Sequence, residues 1–324
     1  MNVTLGIDIG GTKVAGAVVS RDGRILDRAR AMTPGSSTAP AVVEDTIIEV
    51  VQQLRERLPD GCRIRAVGIG AAGWVSSDRA TVLFAPHLSW REEPLRHRLQ
   101  TRLDLPLTVD NDANTAAWAE WRFGAARGEE DFVMITLGTG IGGAILRQGR
   151  IERGRWGLAG EFGHMQVVPD GQRCECGNRG CWEQYASGNA LVREAQSLIA
   201  SGSPMARDLA VRVTGEGGRL SGPLVTEAAR AGDSTAIELL TEIGHWLGVG
   251  LANLAAALDP GLFVIGGGVS TAGELLLEPA REMFRRRLPG RGYRPMASIV
   301  AAELGNDAGV IGAAHLARDD IGAS

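Results

Sequence analysis

Apolar and polar positions alternate along the first thirty residues in a way that predicts strand, turn, strand, turn, strand. VTLGIDI (3–9) and VAGAVVS (14–20) flank Gly10 and Gly11. Arg21-Asp22-Gly23-Arg24 reads as a hairpin turn, and ILDRAR (25–30) as the third strand. The period then changes. Val43, Ile47, Val50, Leu54 and Leu58 recur at helical spacing over 41–58. AVGIG (66–70) and LTV (107–109) return to strand, and strands separated by a helix predict an α/β layer. ANTAAWAEW (113–121) reads as a helix that follows the acidic run 110–112.

The second half opens as the first does. FVMITL (132–137) runs into a glycine cluster, then GGAILR (142–147), then a turn at Gln148-Gly149. GTKVAGAVV (11–19) aligns with GTGIGGAIL (138–146) at an offset of 127, with Gly, Thr, Gly and Ala identical. A Gly-Arg-Ile triplet follows each copy, at 23–25 and 149–151. The pattern is that of a repeated β-hairpin unit, one per domain. Further along, 201–222 is rich in Gly, Ser and Pro and reads as a loop. A final helix over 306–318 is expected to pack back on the first domain.

Composition narrows the class. The chain has 324 residues, natural for two domains, and 44% hydrophobic with 22% charged residues is an ordinary globular balance. A net charge of −4 without a basic run argues against nucleic acid as partner. WLGVGLANLAAAL (246–258) is too short for a bilayer span, which takes ~20 residues, so no membrane association is expected. No signal peptide is visible ahead of the first strand, and a cytoplasmic location is expected.

The glycine turns carry the first candidate chemistry. Asp8-Ile9-Gly10-Gly11-Thr12-Lys13 joins a hydroxyl, a cation and bare backbone N–H groups, which suit phosphate oxygens, while Asp8 suits Mg²⁺ held through water. It is not a Walker loop, because Thr12 stands where lysine belongs and a strand follows in place of a helix. Gly138-Thr139-Gly140 repeats the arrangement. Gly266-Gly267-Gly268 after LFVI can admit a nucleotide base or ribose. The plain alternative for each is a tight turn without a ligand.

Cys174, Cys176 and Cys181 form C-x-C-x4-C, and His164 precedes them by ten residues. Three thiolates and an imidazole make a closed tetrahedral set for a structural zinc, the alternative being three buried reduced thiols. Asp110-Asn111-Asp112 precedes a helix, and one of the three is enough for a cap. Glu161 and Glu183 flank the cysteine cluster and point to a shared site around it; taken singly, each is an ordinary surface charge.

These residues carry a resemblance. DIGGTK (8–13), GLAGEFGH (157–164) and CECGNRGCWE (174–183) closely resemble the ROK family (repressors, open reading frames, sugar kinases), and the similarity runs through the whole chain. ATVLFAPHLSWREEPL (80–95) and CWEQYASG (181–188) look most like the family's actinobacterial glucokinases. The resemblance implies an actin-like ATPase (ribonuclease H-like) fold of two α/β domains with an interdomain cleft. It assigns 1–112 with about 305–324 to a small N-terminal domain and 113–304 to a large one carrying the zinc. It implies ATP-dependent phosphorylation of glucose with Asp112 as catalytic base. Gly73, Asn111, Asp112, Glu161, His164 and Glu183 would hold the sugar. Asp8, Gly10, Gly11, Thr12, Lys13, Gly138, Thr139 and Gly140 would embrace ATP, with Gly266 to Gly268 beside it. His164, Cys174, Cys176 and Cys181 would ligate zinc, and the protein would form a homodimer or homotetramer. Kinases for N-acetylmannosamine, mannose or fructose remain open at this level. The family's repressors carry a helix-turn-helix domain ahead of the DIGGTK-type segment, and only seven residues precede Asp8 here.

Overall fold

The computed structural model describes residues 1–322 apart from Glu216. The chain forms two compact units, one of 1–130, 144–160 and 303–322, the other of 131–143 and 161–302. Glu216, within the expected loop, and the last two residues of the expected small domain lie outside the described residues.

In the first unit, β1 (Asn2–Ile9), β2 (Lys13–Val19) and β3 (Ile25–Met32) form an antiparallel meander. Helix α1 (Pro40–Glu56) lays Val43, Ile47, Val50, Val51 and Leu54 on β2 and β3. Strand β4 (Arg63–Ala71) pairs parallel to β1. The short strands β5 (Trp74–Val75), β6 (Val82–Phe84) and β7 (Arg91–Glu93) make a small separate sheet, followed by α2 (Leu95–Leu103). Strand β8 (Leu107–Asn111) pairs parallel to β4 and passes directly into α3 (Asp112–Phe123). The main sheet therefore runs β3-β2-β1-β4-β8.

The second unit begins with β9 (Phe132–Leu137), and the dividing line falls within β10 (Ile141–Arg147), before β11 (Arg150–Ile151). After the metal-binding candidates come α4 (Glu183–Ala186), α5 (Gly188–Ala200), α6 (Arg207–Gly215), α7 (Gly222–Arg230) and α8 (Ser234–Leu258). Strand β12 (Leu262–Gly266), α9 (Glu274–Arg287) and β13 (Ser298–Ala301) follow. Helix α10 (Ala308–Gly322) closes the chain. The second sheet has the order β11-β10-β9-β12-β13, the order of the first. The repeat read from the glycine hairpins thus extends to the topology of both sheets.

The expectation for 201–222 is corrected: 207–215 is helical, although only Leu209 among its residues is buried. With one apolar anchor, the segment shows little periodicity to read. The final helix does pack on the first unit, against β1, β4 and α3. Glycines permit this. A Cβ on Gly6 or Gly68 would lie 1.8 Å from a carbonyl oxygen of α10, and one on Gly312 would lie 1.7 Å from that of Thr115. Because α3 packs on α10, it belongs to the first unit, whereas the sequence reading ended that domain at residue 112.

In the second unit α8 lies along α9, where Gly244 and Gly248 leave room for the backbone of Leu276 and Ala280. Trp182, fully buried, packs on Gly250 and donates its indole N–H to the carbonyl of Trp246 at 2.8 Å. It stands between Cys181 and Glu183 and so anchors that stretch to α8. Among the described residues, no helix is long and apolar enough to cross a membrane.

Candidate active site

The first glycine loop joins β1 to β2. It is closed by the Gly10 N–H donating to the carbonyl of Lys13 at 3.0 Å. Thr33 braces it twice, its hydroxyl donating to the Gly10 carbonyl at 2.7 Å and its N–H to the Thr12 carbonyl at 3.1 Å. Gly11, Thr12 and Lys13 are exposed at the tip. His87 packs against Gly11, where a Cβ would come within 2.9 Å of the His87 Cβ. Asp8 sits at the root of the loop. Burial raises its carboxyl from 3.8 to about 6, opposed in part by the charge of Lys13. Gly309 of α10 presses its backbone on the Asp8 carboxylate, with no room for a Cβ.

At the end of β8 the three polar residues divide their work. Asn111 is the cap of α3, its side-chain oxygen accepting from the N–H groups of Ala113 at 2.9 Å and Asn114 at 3.2 Å. Its amide donates to the carbonyl of Gly73 at 3.0 Å, so Gly73 and Asn111 are joined. Asp112 is the first helical residue, half-buried, and one carboxylate oxygen accepts from the Ala113 N–H at 2.9 Å. The capping role thus falls to Asn111.

In the second unit, Gly138 donates to the carbonyl of Gly140 at 3.0 Å and accepts from the N–H of Gly188 at 2.8 Å. The third glycine cluster adjoins this loop. Gly267, at φ 85°, lies on the backbone of Leu137, where a Cβ would be 2.5 Å from the carbonyl oxygen. Gly268 faces open space. Gly140 in turn leaves room for Glu183, whose carboxylate would be 2.5 Å from a Cβ at that position.

His164, Cys174, Cys176 and Cys181 converge, with one ligand atom from each lying within 4.8 Å of the others. The His164 Nδ1 is 3.6 Å from the Cys174 sulfur, and the Cys176 and Cys181 sulfurs are 3.6 Å apart. Those separations suit the corners of a tetrahedron around an ion bound at ~2.0–2.3 Å. The donor set of one imidazole and three sulfurs is a soft one that favours zinc among the common divalent ions. Burial pushes the thiols of Cys174 and Cys181 up, and the Cys174 thiol donates to Glu183 at 3.1 Å. A bound dication would reverse that preference by stabilising thiolates. The turn between the cysteines uses Gly177 and Gly180, both at positive φ, and Gly180 lies directly on the carbonyl of Val168. Glu161 approaches the other ring nitrogen of His164 at 4.0 Å, and Glu183 approaches Nδ1 at 3.4 Å. Glu161, His164 and Glu183 are therefore brought together with the cysteines.

Two residues outside the motifs complete the picture in the first unit. Thr33 supports the first glycine loop from β3's far end, and Arg153 reaches back to Asp110 with contacts of 2.6 and 3.1 Å. Neither lies in a recognisable motif, and both act across a separation in sequence that only the fold closes.

Residues 4–320 match the profile of the ROK family. A glucokinase of Streptomyces coelicolor is 46% identical over 319 residues, covering 98% of each chain. Among solved structures, a ROK family glucokinase from Streptomyces griseus in complex with glucose and AMPPNP is 49% identical. It superposes with a TM-score of 0.88, covering 98% of this chain and 99% of that one. A ROK hexokinase from Thermus thermophilus is 33% identical, with a TM-score of 0.78 and coverage of 99% and 100%.

Proposed function

The chain belongs to the ROK family, and from that premise we propose that it transfers the γ-phosphoryl group of ATP to glucose, giving glucose 6-phosphate and ADP. The likeness to glucokinases extends over nearly the full length, including one with glucose and an ATP analogue bound. Within the chain the reading is carried by Asp112, a carboxylate set at a helix start by a neighbour that has taken over the cap.

In the reaction Asp112 accepts the proton of the sugar's 6-hydroxyl as that oxygen bonds to the γ-phosphorus, and the bond from phosphorus to the bridging oxygen of ADP breaks. A positioned base of this kind contributes about 10²–10⁴-fold. Asn111, Glu161, His164, Glu183 and the backbone of Gly73 hold the remaining hydroxyls, which both donate and accept. Gly10, Gly11, Thr12 and Lys13 take phosphate oxygens through N–H groups, a hydroxyl and a charge. Gly138, Thr139 and Gly140 do the same in the second unit, and Gly266, Gly267 and Gly268 border the nucleoside. Mg²⁺ bound with ATP would neutralise phosphate charge, and Asp8 is the carboxylate placed to hold it through water.

Zinc would be held by His164 Nδ1 and the sulfurs of Cys174, Cys176 and Cys181. Its contribution is structural. With Nδ1 engaged, the proton of His164 resides on Nε2, which is then a fixed donor for a sugar oxygen. The cysteines stay reduced in a cytoplasmic setting, where ATP is also available.

The test is a coupled assay of ATP-dependent phosphorylation across glucose, mannose, fructose and N-acetylmannosamine. Glucose is expected to give the highest kcat/KM. A higher value for N-acetylmannosamine would overturn the substrate assignment.

A further inference from the structure

Several segments of the first unit meet on the carboxylate of Asp110, which is 2% exposed. One oxygen accepts from the N–H of Asn111 at 3.0 Å and from the side-chain amide of Asn114 at 2.9 Å. The other accepts from Arg153 through Nη2 at 2.6 Å and Nε at 3.1 Å. Arg79, at φ 58°, places its Nε 3.1 Å from the same oxygen and pairs with Asp320 of α10 at 2.8 Å.

Such a cluster is a poor device for stability alone. Taking ions out of water costs about as much as their pairing returns, and apolar side chains of like volume often serve as well. What a paired guanidinium gives is direction, since two N–H groups on one carboxylate fix an angle as well as a distance. The parts so fixed are informative. Asp110 lies two residues before Asp112 and holds both Asn111 and Asn114 of the same turn. Arg153 opens the segment 153–160, and its carbonyl accepts from the Ala159 N–H at 3.1 Å, closing the segment on itself. Gly157, at φ 89°, seats that segment on the backbone of Val75 and Ser76. Glu161 follows two residues after Ala159.

We propose that Arg153, through its paired bond to Asp110, is a positioning residue for glucose phosphorylation. It ties the segment 153–160 to the strand end that presents Asn111 and Asp112, and so fixes that strand end. This rests on the reading that Asn111 and Asp112 serve the sugar.

The test compares Arg153→Met, Arg153→Lys, Asp110→Asn and the Arg153→Met/Asp110→Asn double variant. Glucose and ATP are varied separately, glucose binding is measured calorimetrically without ATP, and thermal unfolding is followed in parallel. Arg153→Met is expected to weaken glucose binding and lower kcat/KM for glucose by about tenfold or more, with KM for ATP within about twofold. Arg153→Lys keeps the charge but not the two-point contact and should recover only part of the loss. The double variant should be no worse than the poorer single one, as coupled residues behave. Unchanged glucose parameters in Arg153→Met, or equal losses for glucose and ATP, would overturn the proposal. If Arg153→Met does not fold, Arg153→Lys decides: a glucose defect at unaltered melting temperature supports the role, and wild-type kinetics refute it. If the wild type prefers another hexose, the substrate assignment fails by itself and the same comparison is read on that hexose.

Discussion

Asp8 and Asp112 are both aspartates at strand ends of one sheet, and their surroundings differ. Asp112 stands at a helix start, where its carboxylate accepts from the Ala113 N–H at 2.9 Å. Replacing it by asparagine keeps shape and removes the proton acceptor. Turnover should fall by about 10²–10⁴-fold while glucose affinity changes little, which paired kinetics and calorimetry would register. Near-normal turnover in that variant would remove Asp112 from the mechanism. Asp8 is held near 6 by burial, so the fold favours its protonated form. Its folded value is raised, so its contribution to stability is complete below about 3.8 and is lost as the pH rises through about 6. At ~1.4 kcal/mol per pH unit the loss is at most ~3 kcal/mol. Without nucleotide, Asp8→Asn should therefore gain stability relative to the wild type between pH 4 and pH 8. Denaturant unfolding at both pH values tests this; a difference that does not vary with pH would contradict it.

Among the elements, α10 shows how closely backbone can approach backbone when side chains are omitted. With a Cβ at Gly68 or Gly312 falling less than 2 Å from a carbonyl oxygen, alanine there must push the helix off β4 or α3. We expect each to cost about 3 kcal/mol in chemical unfolding, the upper range for overpacking. Gly215, at the end of α6 with nothing near its Cβ position, should accept alanine with no loss. Equal behaviour of the three variants would show that the contact at α10 relaxes freely. These glycines lie within ordinary strand and helix patterns, and nothing in their local sequence announces a contact made hundreds of residues away. The long elements were legible because one face of α1 is apolar and β9 is a nearly unbroken apolar run. Helix α6, with Leu209 alone buried, was not, nor was the small sheet of β5, β6 and β7, whose strands are two or three residues long. Motif residues of the site were readable because glycines and cysteines at short spacing have few other uses. Asn111 as the cap and Arg153 as the partner of Asp110 needed the fold, since the run 110–112 offers three candidates for one cap and Arg153 is one arginine among many.

At the scale of the whole molecule, a metal held by His164, Cys174, Cys176 and Cys181 would secure the stretch that Trp182 also anchors. Cys176→Ser should lose stoichiometric zinc and weaken glucose binding by about tenfold, because the loop with Glu161 and His164 loses its fixed point. Metal analysis and calorimetry on the same preparation would test both halves. Unaltered glucose affinity in zinc-free protein would separate the metal from the sugar.

The shared order of the two sheets brings out how the two glycine hairpins differ. Lys13 in one corresponds to Gly140 in the other, at the offset that aligns the repeats. In the second copy a Cβ at that place would lie 2.5 Å from the Glu183 carboxylate. Two hairpins of like sequence thus serve different neighbours, one carrying a charge and the other leaving room for an acid. Lysine at 140 would set a side chain where the second hairpin makes room for that carboxylate.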